Sequence, residues 1–326
     1  MASISTPATW LAGYVPDIPT PFDEHGAVDL ATLAMLCERQ IEAGVTAIVV
    51  SETSGEASTL TTAEQESIIR AAVKVARGRV RIVAGAGSNS TSQAIELAQR
   101  AEAAGADALL SVVPYYNKPT QAGIQAHFRA IAISTALPII LHDVPSRTLR
   151  ELSDDTLLLL ANSRHFIALK DATGDLARLC RLRQLLPAGF RLLSGDDSTA
   201  LPFIANGGDG CISILSNVAP ELCQAVFSNC RLARPQSARY LHDRLLPLTA
   251  CLTKESPAAL KYALFLLGFI SPATRLPIVE LTDEAKAEVA SAITAIGDED
   301  IACPVEHWHA PSLREDAMTP SLARRG

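Results

Sequence analysis

The sequence predicts an α/β protein built as a (β/α)8 TIM barrel with a C-terminal helical extension. Eight short apolar segments recur over roughly the first 230 residues, and segments with helical spacing lie between them. The apolar segments are continuous rather than alternating, as expected for parallel strands covered by helices. A doubly wound sheet is the competing architecture. The turn "GAGSNS" at 85–90, however, lacks the third glycine of the G-x-G-x-x-G phosphate-binding fingerprint.

The predicted strands are β-branched or apolar runs of five to seven residues. In chain order they lie at 13–18, 46–50, 80–84, 107–113, 138–142, 166–170, 190–194 and 210–214.

Amphipathic helical patterns connect the first of these strands. They lie at 30–44, 61–78 and 91–106. Gly44 and Gly78 are predicted stop signals for the first two. Thr62 and Gln65 have the spacing of a capping box, which predicts the start of the second helix.

Three segments separate along the chain. Residues 1–230 form the predicted barrel, and residues 231–296 form a C-terminal helical region with helices at 235–252, 256–268 and 282–296. Residues 297–326 are rich in proline and charge without periodicity, which predicts a mobile tail. The tail contains "HWH" at 307–309, a weak metal-binding pattern, and we predict no bound metal.

Composition excludes several classes of protein. The net charge of −7 and the 5% aromatic content argue against a nucleic-acid binder. The N-terminus lacks the pattern of a signal peptide, and no apolar run approaches the roughly 20 residues of a membrane span. Seven cysteines without a C-x-x-C pair predict reduced thiols. We therefore expect a cytoplasmic protein without nucleic-acid or membrane partners.

Lys170 is the most informative candidate for chemistry. It ends the apolar run "FIAL" at the carboxyl end of the sixth predicted strand, where barrel enzymes place their active sites. Desolvation disfavours a charged amine, so a neutral amine becomes available as a nucleophile for Schiff-base formation with a carbonyl substrate. The alternative is an ion pair with a nearby carboxylate such as Asp171, and the pattern leaves both open.

Other polar residues follow neighbouring strands. Arg147 lies after a Pro turn, and its planar fork suits a substrate carboxylate, although it could equally be a surface arginine. Thr53 and Ser54 lie in a Gly-containing turn that could hold a carboxylate or merely cap a helix. Tyr115 and Tyr116 are adjacent, so we expect their rings to point apart.

Several ordered motifs resemble one known family. The chain is similar to the dihydrodipicolinate synthases, in the superfamily of pyruvate-dependent class I aldolases that includes N-acetylneuraminate lyase. The resemblance runs from about residue 13 to about 296. The motifs that carry it are "PTPFDEHGAVD", "TSGEASTLT", "VAGAGSNST", "VPYYNKPTQAG", "VPSRT", "LKDATGDL", "LSGDDS" and "GCISILSNVAP".

The resemblance implies a lyase of lysine and diaminopimelate biosynthesis that needs no cofactor. Lys170 would form a Schiff base with pyruvate, and the resulting enamine would attack L-aspartate semialdehyde. Thr53 and Tyr116 would belong to a proton relay, the tyrosine reaching across from a partner subunit in a homodimer or homotetramer. Ser54 would lie near the pyruvate carboxylate, and Arg147 would bind the semialdehyde carboxylate.

The resemblance further implies that Gly195 and Ile212 line the pocket, Ile212 through its backbone carbonyl. The "PSRT" block favours this branch over the neuraminate lyases, which lack that arginine turn.

His142 departs from the family, which has a tyrosine at this position in the proton relay. Imidazole has a pKa of about 6.5, against about 10 for phenol, and it is shorter. Asp143 stands where the family usually has asparagine. It could raise the pKa of His142, although adjacent strand residues point to opposite faces.

His142 keeps two further readings open. One is a related pyruvate-dependent aldolase or sugar-acid dehydratase with a different aldehyde or keto acid, and the other is a catalytically idle relative that binds a keto acid. At the family's lysine feedback site, the matching positions are Thr62, Gln65 and Gln93. Without an acidic group among them, we predict weak or absent inhibition by lysine.

Overall fold

The computed structural model describes residues 8–297, and these form the predicted barrel. Eight parallel strands hydrogen-bond in the order β1-β8-β7-β6-β5-β4-β3-β2. The strands are β1 (Gly13–Pro16), β2 (Ala47–Val50), β3 (Arg81–Gly85), β4 (Ala108–Val112), β5 (Ile139–Asp143), β6 (Phe166–Asp171), β7 (Arg191–Ser194) and β8 (Gly210–Ser213). All eight predicted strands are thereby confirmed.

The sheet closes between its first and second strands. Asp17 forms a parallel bridge with Val49, and the Ile18 N–H donates to the Val49 carbonyl at 2.9 Å. The barrel interior is filled by a small apolar cluster that includes Val15, Leu110 and Ile212. A larger apolar cluster lies between the strands and the surrounding helices. This two-shell core explains why the strands read as continuous apolar runs.

Within the described residues, nine α-helical segments precede the C-terminal region and surround the barrel. They are α1 (Leu30–Glu42), α2 (Thr62–Ala76), α3 (Thr91–Ala103), α4 (Gln121–Ser134), the single turn α5 (Pro145–Thr148), α6 (Asp154–Ala161), α7 (Leu176–Leu185), α8 (Ala200–Ala205) and α9 (Pro220–Arg231). The first two helices end two residues before Gly44 and Gly78. These glycines adopt left-handed φ values of 81° and 74° just beyond the helices, which is where such a stop signal acts.

The predicted capping box of α2 is wrong by one residue. Thr61, not Thr62, is the N-cap: its hydroxyl accepts from the Glu64 N–H at 3.2 Å, and Glu64 accepts from the Thr61 N–H at 2.8 Å. Gln65 instead turns inward and donates to the Ala57 carbonyl at 3.0 Å. Arg275 holds the Glu64 carboxylate from the other side, at 2.6 and 3.0 Å, which favours this register.

The C-terminal region follows as three helices, α10 (Pro235–Lys254), α11 (Ala258–Leu266) and α12 (Asp283–Ile296), close to the predicted spans. Lys261 of α11 is fully buried and forms an ion pair with Glu56, in the loop after β2. It also donates to the Ala273 carbonyl at 2.8 Å. Burial lowers the pKa of Lys261 to about 8. The helical region is thus tied to a loop at the carboxyl end of the barrel.

Three further findings concern the described part of the chain. All six of its cysteines have free thiols. None of its helices combines the length and the apolar character needed to cross a bilayer. It contains no group of three or more His, Cys, Asp or Glu side chains placed to hold a metal ion. The predicted tail, with its "HWH" pattern, lies outside the described residues apart from Gly297.

Candidate active site

Four ionisable side chains meet at the carboxyl ends of four strands. Lys170 ends the apolar part of β6, and its side chain is 7% exposed. Its Nζ lies 3.6 Å from Oε2 of Glu52, which follows β2, and 3.9 Å from Oδ2 of Asp17, which follows β1. His142, on β5, lies beside Lys170 in the sheet register. A buried amine therefore faces two buried carboxylates.

Asp171 is not the partner of Lys170, so that part of the sequence interpretation is wrong. Its carboxylate accepts from Thr173, at 2.6 Å, and from Arg178, at 3.4 Å. The reason is geometric, because successive residues of a strand point to opposite faces of the sheet. Lys170 points into the barrel and Asp171 points toward the helices.

Glu52 uses both carboxylate oxygens at the site. Oε1 lies 3.0 Å from Nδ1 of His142, and Oε2 lies nearest to Lys170. Oε2 also accepts from the Thr53 N–H at 2.5 Å. Since both side chains of the Glu52–His142 pair are less than 10% exposed, solvent weakens this contact little.

The two buried acids of the cluster have very different pKa values. Burial raises the pKa of Glu52, but the charge of Lys170 and the hydrogen bonds from His142 and Thr53 oppose it and hold that pKa well below its usual range. Burial, together with the negative charge of Glu52, raises the pKa of Asp17 to about 7. Glu52 is therefore ionised at neutral pH, whereas Asp17 is partly protonated.

The imidazole of His142 is neutral at the same pH. Burial and the charge of Lys170 lower its pKa, and the attraction of Glu52 only partly opposes them. A neutral imidazole beside an ionised carboxylate carries its proton on Nδ1, which donates to Glu52. Nε2 is then left with a lone pair.

Asp143 plays a different part from the one expected. It accepts from Nη1 of Arg178 at 2.8 Å and from the Leu152 N–H at 3.1 Å, on the helix side of β5. Burial raises the pKa of Asp143 to about 6, against the attraction of Arg178. Asp143 thus anchors the outer face of the strand, and it does not raise the pKa of His142.

Thr53 and Ser54 present their donors to the chain's own carboxylates. Ser54 is fully buried, and its Oγ donates to Oδ2 of Asp17 at 3.0 Å. The backbone N–H of Ser54 lies 3.4 Å from the same oxygen. A substrate carboxylate at this turn would have to take these donors from Asp17 and Glu52.

The loop after β2 has a constrained backbone. Ser51 and Glu56 have φ values of 55° and 54°, in the left-handed region that costs energy for side chains other than glycine. Gly85 of β3 makes room for the loop, because a Cβ there would lie 1.9 Å from the Ser51 carbonyl oxygen. In this loop Glu52 lies at the barrel mouth, against Lys170 and His142.

Gly195 lies against the side chain of Lys170, and Ile212 lies inside the barrel. A Cβ on Gly195 would come within 3.2 Å of Cγ of Lys170, so glycine leaves room for the lysine stem. Ile212 is 2% exposed and belongs to the inner apolar cluster.

A cavity of about 490 Å³ opens at this end of the barrel, and Glu52, Thr53, Tyr115 and Arg147 are among its lining residues. The Arg147 guanidinium makes no hydrogen bond or ion pair with any residue in 8–297. It is therefore available to an anionic ligand.

Tyr116 does not join the cluster. Its side chain is 87% exposed, and its φ of 68° turns it away from the cavity that Tyr115 lines. The expectation that the two rings point apart agrees with this difference.

Asp17 and Glu52 are the site residues that sequence reasoning missed. Each is an acidic residue just after an apolar strand, in "YVPD" and "IVVSE". The same signal identified Lys170, so it was available for both residues.

The eight parallel strands close into a TIM barrel, and the buried lysine lies at the carboxyl end of β6, where TIM-barrel enzymes have their active sites. The chain belongs to the dihydrodipicolinate synthetase family, whose sequence model matches residues 11–296. The expected family and fold are both confirmed.

Curated relatives and solved structures cover most of the chain. Relatives named 4-hydroxy-tetrahydrodipicolinate synthase from Hyphomonas neptunium and Thiobacillus denitrificans are 46% and 47% identical, over 87% and 86% of this chain and 98% and 94% of theirs. The dihydrodipicolinate synthase of Acinetobacter baumannii, solved in complex with pyruvate, is 40% identical with a TM-score of 0.85, covering 88% of this chain and 99% of that one. A structure described as a monomeric dihydrodipicolinate synthase variant is 32% identical with a TM-score of 0.86, covering 89% of this chain and 98% of the variant.

Proposed function

We propose that this chain is a lyase that condenses pyruvate with L-aspartate semialdehyde to give 4-hydroxy-tetrahydrodipicolinate, in lysine and diaminopimelate biosynthesis. The observation that carries the proposal is the buried amine of Lys170 at the mouth of a barrel of this family. The relatives with 42–47% identity bear the name of this activity. The reaction takes place in the cytoplasm and needs no separate cofactor, because the lysine itself carries the covalent intermediate.

Lys170 attacks the ketone carbon of pyruvate and releases water. The cationic imine that results withdraws electrons from the neighbouring methyl group, which loses a proton to give an enamine. The enamine carbon then attacks the aldehyde. Gly195 gives the lysine stem room for these changes, and Ile212 contributes to the apolar interior of the barrel.

The other site residues bind substrate or move protons. Arg147, whose guanidinium is unpaired within the described chain, binds the carboxylate of the semialdehyde. The Ser54 hydroxyl breaks its hydrogen bond to Asp17 and donates to the pyruvate carboxylate instead. His142 exchanges protons through Nε2, and Thr53 lies beside it in the relay. Tyr116 completes the relay of a neighbouring subunit in a homodimer or homotetramer, and its 87% exposure in the single chain supports this part.

The assay that tests the function follows consumption of pyruvate and L-aspartate semialdehyde by mass spectrometry. The wild-type chain turns both over, Lys170→Ala neither, and Arg147→Ala has a KM for the semialdehyde raised by about 10-fold or more. Lack of turnover by folded wild-type protein contradicts the proposal.

A second candidate is a related aldolase or sugar-acid dehydratase that acts on another carbonyl compound. One observation favours it: the backbone N–H of Thr53 donates to Glu52 and the Ser54 hydroxyl donates to Asp17, so neither donor is free for a pyruvate carboxylate. The resemblance, which implies a tyrosine at the position of His142, points the same way. Turnover of pyruvate with other aldehydes, but not with the semialdehyde, would establish this candidate instead. If the protein binds a keto acid but does not turn it over, it is instead a catalytically inactive keto-acid-binding member of the family.

A further inference from the structure

Glu52 joins the two groups that Schiff-base chemistry requires. One carboxylate oxygen lies 3.0 Å from the imidazole of His142, and the other lies 3.6 Å from the amine of Lys170. We propose that Glu52 is a catalytic acid–base residue, which takes a proton from the Lys170 ammonium and returns it to the oxygen that leaves as water. The inference rests on the proposed Schiff-base function and assigns the proton transfers within it.

The need for such a group follows from the burial of Lys170. An ammonium cannot attack a carbonyl carbon, so the side chain must first lose a proton. With only 7% of that side chain exposed, water is a poor acceptor for it. Among the described residues, only the Glu52 and Asp17 carboxylates lie within 4 Å of the amine.

Glu52 is better placed than Asp17 for this role. Asp17 is the more distant, at 3.9 Å, and the oxygen that faces Lys170 is engaged by Ser54. Glu52 also contacts Nδ1 of His142. A proton on Glu52 therefore belongs to a hydrogen-bonded network that includes the imidazole. Asp17 has no such connection.

The low pKa of Glu52 is compatible with accepting this proton. The charge of Lys170 is the largest effect opposing burial at Glu52. Once the ammonium gives up its proton, that charge is gone and the proton affinity of Glu52 rises. The charge that holds the pKa of Glu52 down is thus removed in the same step in which Glu52 takes up the proton.

The steps balance as follows. An N–H bond of the Lys170 ammonium breaks, an O–H bond forms on Glu52, and the neutral amine attacks the ketone carbon. A second proton then passes from nitrogen to the former carbonyl oxygen, with Nε2 of His142 as the carrier, to give a neutral carbinolamine. Finally Glu52 returns its proton to that hydroxyl, which leaves as water. Nitrogen keeps one proton in the cationic imine, and Glu52 is again a carboxylate.

The test measures how fast the pyruvate adduct forms, using borohydride trapping and intact-mass spectrometry between pH 5 and 9. Glu52→Gln keeps the shape but cannot accept a proton, so its rate at pH 7 falls by about 100-fold or more. Asp197→Asn is the matched control. Asp197 is also 7% exposed, but it bonds to Ser213 and to the Ile214 N–H, so its loss leaves the rate within about threefold.

A second variant separates chemistry from structure. Glu52→Ala leaves space for a small carboxylic acid, and added formate restores its trapping rate by about 10-fold or more if the role is proton transfer. The inference is overturned if Glu52→Gln reacts within threefold of the wild-type rate, or if formate has no effect on folded Glu52→Ala. Failure of the wild-type chain to form any pyruvate adduct would instead contradict the proposed function itself.

Discussion

The charges of single residues decide how the site responds to pH. Arg147 is a cation that lines the cavity, Lys170 is the buried cation, and Glu52 and Asp17 are the buried acids beside it. Because Glu52 holds the Nδ1 proton of His142, the imidazole has one defined tautomer in the free protein. The imidazole and the carboxylate therefore form one linked acid–base pair beside Lys170.

The first prediction concerns the pH profile. If neutral His142 is required, activity falls by about tenfold per pH unit below its pKa, because protonation removes the lone pair of Nε2. Since burial and Lys170 lower this pKa, the fall lies below the ordinary imidazole value of about 6.5. The kcat/KM profile of His142→Tyr should lack this limb.

His127 provides the control for that experiment. It is also buried, but it bonds to Thr91 at 3.0 Å, away from Lys170. His127→Asn should keep the wild-type profile. An acid limb that survives unchanged in His142→Tyr would make His142 a bystander.

The second prediction concerns stability and Asp17. Its pKa is about 7 in the folded chain, against 3.8 for an ordinary aspartate, so the folded state binds this proton more tightly than the unfolded state. The stabilising contribution is fully present below pH 3.8 and is lost as the pH rises to about 7. Asp17→Asn removes this titration, so the Tm of the variant minus that of the wild type should increase by at least about 2 °C between pH 5 and pH 8. Calorimetry that finds a constant or decreasing difference would contradict the raised pKa.

At the scale of elements, the loop after β2 depends on parts of the chain that are far away in sequence. Gly85 makes room for it, Lys261 neutralises Glu56, and Arg275 holds Glu64 at the start of α2. Glu52 is positioned by this loop, so the C-terminal helical region supports the site without contacting the buried amine.

The third prediction tests the start of α2. Thr61→Ala removes the acceptor for the Glu64 N–H and should lower the free energy of unfolding by about 1 kcal/mol. Thr62→Ala, one residue into the helix, should change it by less than about 0.5 kcal/mol. Denaturant titrations in which Thr62→Ala costs more than Thr61→Ala would restore the capping box at Thr62.

The elements themselves were predictable from sequence, because apolar periodicity reflects burial directly. The register of the capping box was not, since both Thr61–Glu64 and Thr62–Gln65 fit its pattern. What selects Thr61 is Arg275, more than 200 residues away. Lys170 was recognised as an ionisable end of an apolar run. Its contacts with Asp17 and Glu52 could not be read from sequence, because neither β1 nor β2 pairs with β6 and only the closed barrel brings their ends together.

At the scale of the whole molecule, the exposed Tyr116 is the feature that points beyond one chain. The fourth prediction is that Tyr116→Phe lowers kcat by about 10-fold or more. Mixing it with Lys170→Ala chains should restore activity, because each mixed dimer then contains one complete site. No recovery in mixed dimers, verified by native mass spectrometry, would argue against a shared site.

The fifth prediction concerns regulation by lysine. Thr62, Gln65 and Gln93 line the same cavity as Arg147, and none of them is acidic. Two acids also line the cavity, but Glu52 contacts His142 and Lys170, and Glu56 is paired with Lys261. A cationic effector therefore lacks a free charge partner, and lysine below millimolar concentration should leave initial rates unchanged. Inhibition in that range would show that another acidic group serves the effector.

The most direct test of the central claim is to treat the whole protein with pyruvate and borohydride and then map the modified peptide. The account predicts one reduced pyruvyl adduct for each chain, located on Lys170 and absent from Lys170→Ala. Folded wild-type protein that takes up no pyruvate, or takes it up on another lysine, would contradict the claim that Lys170 is the Schiff-base residue.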